Sequence, residues 1–243
     1  MNPVLQLGDR TLSSGEVLQL LAEHRLMPLL IKEIVIDQAI APIETTPEEE
    51  QQACEQLAQQ YQSAKEQGLS SEELNIMAIR LLKLEKFKET TWGGDLDAYF
   101  YQRKSQLDRV VYSLISVSDI GIAQELYFRI QEGEESFAQL ARQYAQGPES
   151  QTDGLVGPVE LQSLHPALAK LLSVSQPQQL SPPTQIGNWL VIVRLEKIIP
   201  AQMDRPLRQR LVNERFNTWM QTEIAAQNWQ IRQSNPAISG ATE

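Results

Sequence analysis

The chain is poor in the residues that carry most protein chemistry. It has one cysteine, Cys54, and two histidines, His24 and His165, all far apart in sequence. A lone cysteine cannot close an internal disulfide, and this scatter gives no metal-ligand spacing, so neither a metal nor a cofactor is expected. Cys54 lies in the helical pattern "EEEQQACEQLAQQYQ" and reads as structural. Basic residues are also few. The 21 Lys and Arg face 31 Asp and Glu, and the net charge of -10 repels phosphate backbones and anionic lipid alike. Nucleic acid and membrane are therefore not expected as partners. Long apolar runs are missing as well: the greasiest stretch, "LMPLLIKEIVIDQAIAPI", carries Lys32, Glu33 and Asp37 and reads as a buried core helix. The opening "MNPVLQLGDR" lacks a basic segment followed by an apolar core and a small-residue cleavage site, and the expected compartment is the cytoplasm.

What is present is a run of helix signals followed by a change of period. "VLQLGDRTLSS" reads as a strand, a turn at Gly8-Asp9 and a return into a helix, with Ser13 and Glu16 spaced as a capping box. Pro28 suits the first turn of a second helix reaching about Ala39. Thr46-Pro47-Glu48-Glu49 opens a third, expected to end at Gly68, and Ser70 with Glu73 opens a fourth. Gly93-Gly94 break the pattern before a helix carrying Leu96, Tyr99, Phe100 and Arg103. These signals predict a helical lobe over residues 1–107, all-helical from residue 13 to about 107.

From residue 108 the chain behaves differently. "RVVYSLISV" is rich in β-branched and aromatic residues and predicts a strand. Ala123, Leu126, Tyr127 and Ile130 share one helical face, Gly133 interrupts, and Phe137, Leu140, Ala141 and Tyr144 resume it. A loop follows, then a short helix in "HPALAKLLSV" and a closing strand from Trp189 to Leu195. The stretch 203–243 holds an amphipathic helix over 205–226, with Leu207, Leu211, Trp219, Met220 and Ile224 on its stripe, and the tail "RQSNPAISGATE", expected to be disordered. A lone amphipathic helix must bury its stripe, and the N-terminal lobe is the expected partner. The fold class is α+β: a helical lobe completed by a C-terminal helix, plus a module over 108–202 with a small antiparallel sheet flanked by helices.

That module resembles the parvulin family of peptidyl-prolyl cis-trans isomerases. Parvulins end a helix in a pattern like F-x-x-L-A-x-x-Y-S and continue through a loop into G-G-D-L-G. Here the corresponding residues are Phe137, Leu140, Ala141, Tyr144 and Ala145, then "QGPESQT", then Asp153-Gly154-Leu155-Val156-Gly157. "SLHPALAKLLSV" is similar to the short helix that walls the family's proline pocket, and "IGNWLVIVRLEKI" to its final strand. "WGGDLDAYF" at residues 92–100 matches G-G-D-L more literally, but it opens a helix and has no F-x-x-L-A helix before it. The wider layout looks like the SurA and PrsA type of folding factor.

The resemblance implies a peptide site. Its apolar cup would be Val156, Leu164 and Leu168, with Val159 nearby. Its polar half departs from the family: the positions where parvulins place a histidine in the first strand, a histidine in the last strand, and a cysteine or aspartate after the helix pair fall on Ser113, Trp189 and Gly147. Tyr112 sits beside Ser113. Neither hydroxyl reproduces a paired-imidazole network, and His24 and His165 read as surface or capping residues. Two functions from different classes remain, a weak prolyl isomerase working by binding and desolvation, and a chaperone-like module that holds unfolded or proline-containing polypeptide without turning it over. A non-catalytic adaptor or structural partner protein is the alternative to both.

Overall fold

The computed structural model describes residues 3–62, 70–227 and 229–230. The chain divides into two compact units, Met1–Gly94 with Gln209–Glu243, and Asp95–Arg208. In the first, strands β1 (Pro3–Leu7) and β2 (Arg10–Ser13) form an antiparallel hairpin whose turn carries Gly8 at φ 59°, a conformation glycine adopts without strain. Helix α1 (Ser14–Glu23) starts at the capping box read from the sequence: the Glu16 amide donates to Ser13 Oγ, and the Ser13 amide donates back to the Glu16 carboxylate. Helix α2 (Met27–Ile40) has Pro28 in its first turn, α3 spans Pro47–Gln62, and α4 (Ser71–Trp92) begins at a second capping box, Ser70 and Glu73. The expected end of the third helix at Gly68 and the expected disordered tail at 232–243 lie outside the described residues.

Helix α5 (Leu96–Leu107) falls with the second unit, whereas the sequence pattern carried the helical lobe on to residue 107. The reason is local. Asp108, which ends α5, accepts from the Leu161 amide through its carbonyl and from the Ala201 amide through its carboxylate, and Arg103 donates to Gln162. The predicted strand follows as β3 (Arg109–Val117), then α6 (Ile120–Gln131), α7 (Phe137–Tyr144), a 3-10 turn at Pro148–Thr152, β4 (Leu155–Glu160), a second turn at Leu161–Ser163, α8 (Pro166–Val174), β5 (Leu180–Ile186) and β6 (Trp189–Ile199). The sheet is antiparallel throughout, in the order β4-β3-β6-β5. Both of its faces are covered. One packs Val110, Tyr112, Val191, Val193 and Leu195 against Leu168 and Leu172 of α8; the other packs Ile115, Val117 and Ile192 against residues of α6 and α7.

Helix α9 (Arg205–Ala226) places Phe216 and Met220 in one core with Ile31, Val35, Ile36 and Ile40 of α2 and Trp92 of α4. Trp92 sits 6.0 Å from Phe216 and 5.9 Å from Trp219 between ring centres, with Phe87 5.1 Å from Trp219. Lys88, buried beside this cluster, donates to Glu85 and Asn213 and lies 5.0 Å over the Phe216 ring, so its charge is compensated.

Candidate functional site

Strand alternation decides which side chains can share a site. In the pairing of β3 with β4 and β6, Tyr112 stands opposite Val156 and Leu195, while its neighbour Ser113 stands opposite Leu155 and Arg194. Tyr112, Leu114 and Ser116 therefore face α8, and Ser113 faces the other way. There its hydroxyl donates to Glu196 Oε1 at 2.5 Å, and the same carboxylate takes Arg194 Nε at 2.8 Å and Gln178 Nε2 at 2.8 Å. Arg194 in turn lies 5.2 Å from the centre of the Phe137 ring. Burial pushes the Glu196 carboxyl up, but the donors from Ser113, Arg194 and Gln178 outweigh it and hold the group below the usual carboxylate range. Ser113 is part of a structural ion cluster on the face away from the cup. It does not join the site that the sequence assigned it to, because the register puts Tyr112, one residue earlier, on the cup side.

The four cup residues do come together. Val156, Val159 and Leu164 are half-buried and pack against the cluster that contains Tyr112, Leu168, Leu172 and Val193; Leu168 is 8% exposed. A bulge in β4, where Gly157 and Pro158 oppose Val111 alone, lets Val110 pair with Val159 and Tyr112 with Val156, so that both valines line one side although they are three positions apart. His165 accepts from the Ala167 amide through Nδ1 at 3.3 Å and caps α8, with Pro166 in the first turn.

The third region is the loop after α7. Gly147 precedes the 3-10 turn, and Glu149 within the turn is only 5% exposed. Its Oε1 accepts from the Ser116 amide at 3.1 Å and from the Ser116 hydroxyl, and the Gln146 amide donates to the Ser116 carbonyl at 2.9 Å. A Cβ at Gly147 would overlap the Glu149 carboxylate, so glycine there makes room for a side chain two residues on. The loop is locked to β3 again where the Gly154 amide donates to the Glu149 carbonyl and the Leu114 amide to the Gly154 carbonyl, both at 2.8 Å. Burial, and then the negative charge of Glu149, push the Tyr112 phenol above its ordinary value. Trp189 begins β6, is 43% exposed, and by alternation from Val191 falls on the face of Tyr112 and Ser116.

Residues 118–197 match the family model described as rotamase, PPIC-type PPIase domain. The chain carries a parvulin-type rotamase domain. Among solved structures, the peptidylprolyl isomerase PrsA from Bacillus anthracis is 20% identical, with 84% of this chain and 100% of that one covered at a TM-score of 0.50. PrsA from Bacillus cereus is 18% identical, with 97% and 95% covered, also at 0.50. At such identities these structures establish the fold. A search of curated proteins returns no match.

On or against the cup face the structure brings together Tyr112, which the sequence placed only as the neighbour of Ser113, and Ser116 and Glu149, which the sequence did not single out. Tyr112 and Ser116 are four residues apart in a period-two strand, which is a legible signal once the cup face is known. Glu149 gave none, since one carboxylate in a turn ordinarily points to water. Gly147 lies beside this set through Glu149. Ser113 and Trp189 stay apart, since Ser113 pairs with Arg194, five residues along β6 from Trp189, a span of about 16 Å.

Proposed function

We propose that this chain is a folding factor whose rotamase domain binds proline-containing polypeptide and holds it, with isomerase turnover weak or lost. The observation that carries this reading is the convergence of Val156, Val159, Leu164 and Leu168 on one face of the sheet, where the neighbouring His165 imidazole is spent on capping α8. Rotation about a prolyl bond requires the twisted amide to be bound better than the planar one, across a barrier of about 18–20 kcal/mol. An aliphatic cup binds the ring in either geometry and so favours holding. Seating one ring yields only a few kcal/mol by area, which corresponds to roughly micromolar affinity or weaker. On the helical unit, Leu26, Leu29, Leu30 and Ile34 of the α2 region are exposed, at spacings of one turn, and offer further apolar contacts to longer clients.

Titration of the isotope-labelled chain with proline-containing peptides of increasing length tests this. The expected shifts fall at 147–168 and at Tyr112 and Trp189, with affinity rising with peptide length. Shifts confined elsewhere, or none, overturn the reading and favour a structural partner protein. In a protease-coupled assay on X-Pro peptides, robust turnover abolished by Leu168→Ala would instead establish an active isomerase that needs only its cup.

A further inference from the structure

Tyr112 is 3% exposed, and no hydrogen-bond partner for its hydroxyl occurs among the described residues. The ring is enclosed, but the hydroxyl is not among the fully buried polar atoms that lack a partner, so it keeps access to solvent and is free to donate to a bound segment. The ring belongs to the cluster formed by Leu168, Leu172 and Val193, and its backbone is paired with that of Val156, a wall of the cup. Side chains of such a cross-strand pair lie about 5 Å apart at Cβ. The negative Glu149 nearby is already committed to Ser116.

We propose that the Tyr112 hydroxyl is the polar anchor of the cup and donates a hydrogen bond to the carbonyl oxygen of the X-Pro bond of a bound segment. This deepens the function proposed above and rests on it. A proline ring seated against Val156 brings the carbonyl of the preceding residue beside the group opposite Val156. The neighbouring Glu149 carboxylate opposes an anionic ligand there and leaves a neutral amide oxygen as the suitable acceptor. Burial and Glu149 keep the phenol protonated, hence a donor, well above neutral pH. The bond also has a consequence for rotation. A donor on the carbonyl oxygen stabilises the resonance form with a partial C–N double bond, which is strongest in the planar amide and is lost in the twisted one. Tyr112 therefore binds the ground state and retards rotation, which is what a holding site requires.

The test compares wild type and Tyr112→Phe of the full chain, titrated with a neutral Ala-Pro peptide and with its analogue in which the X-Pro carbonyl oxygen is replaced by sulfur, a poorer acceptor. Wild type should prefer the oxygen peptide, Tyr112→Phe should bind that peptide roughly tenfold more weakly, and the variant should lose the preference. Because the hydroxyl has no partner in the protein, Tyr112→Phe should leave the melting temperature unchanged or raise it, whereas a structural role would lower it. Turnover per bound peptide in the variant should not fall. If wild type binds the peptide and Tyr112→Phe binds it equally well, or keeps the oxygen preference, the anchor is wrong while the holding function stands. If wild type binds neither peptide, both are wrong.

Discussion

One residue of register separates a binding group from a structural one in β3. Ser113 and Tyr112 are adjacent in sequence, yet one is spent on Glu196 and the other meets the cup. Ser113→Ala should lower stability by about 1–2 kcal/mol at neutral pH, the usual worth of a hydrogen bond to a charged group, and leave peptide affinity as it was. The pH dependence follows from the direction of the Glu196 shift. Its folded pKa lies below its unfolded one, so its contribution is fully present above the unfolded value of 4.5 and disappears as pH falls through the lower folded value. Urea unfolding should therefore show the gap between wild type and Ser113→Ala narrowing from pH 6 downwards; a gap that widens would remove Ser113 from the Glu196 cluster. At Gly147 the limit is steric. Gly147→Ala should displace the Glu149 carboxylate and cost about 1–3 kcal/mol by overpacking, seen as a lowered urea midpoint and shifted Ser116 resonances.

At the scale of elements, the legible parts of the rotamase domain are those whose sequence has a strong period. "RVVYSLISV" and "WLVIVRL" sit in the two central strands, where both faces are buried and apolar residues run almost without interruption. The strands that the pattern does not announce are β4, "LVGPVE", and β5, "LSPPTQI". Glycine and proline argue against a strand in any sequence reading, but both elements lie at the sheet's edges, where an unpaired side tolerates proline. The cup depends on one of them. Gly157 in β4 has φ 112°, and a Cβ there would lie 2.5 Å from the Val110 carbonyl oxygen, so no other residue fits without moving the strand. Gly157→Ala should cost about 2–3 kcal/mol, speed amide exchange along the β3-β4 ladder, and weaken peptide binding by shifting Val156 away from Tyr112. Unchanged exchange at that ladder would mean that the strain is absorbed elsewhere.

On the scale of the whole molecule, the chain leaves the helical unit at Gly94, builds the rotamase domain, and re-enters the helical unit at Gln209. The stripe on residues 205–226 shows in the sequence that this helix needs a partner surface, but not which residues supply it. The partner surface joins distant helices: Trp92 and Phe87 of α4 form an aromatic cluster with Phe216 and Trp219 of α9, on the apolar face of α2. An insertion of this kind makes the two units unequal in independence. The rotamase unit, residues 95–208, is continuous and has cores on both faces of its sheet. The helical unit is completed only by a segment from the far end of the chain. A fragment of residues 95–208 should fold alone, with dispersed amide resonances and the peptide affinity of the intact cup. A chain stopped at residue 208 should keep those resonances but lose Phe216 and Met220 from the helical core, and Trp92 fluorescence should shift to the red as its 7% exposure rises. Trp92→Ala in the full chain should act in the same direction, by about 3–5 kcal/mol on the unfolding of the helical unit alone. If the shortened chain melts as the full one does, with unshifted tryptophan emission, then α9 is not what closes the helical core.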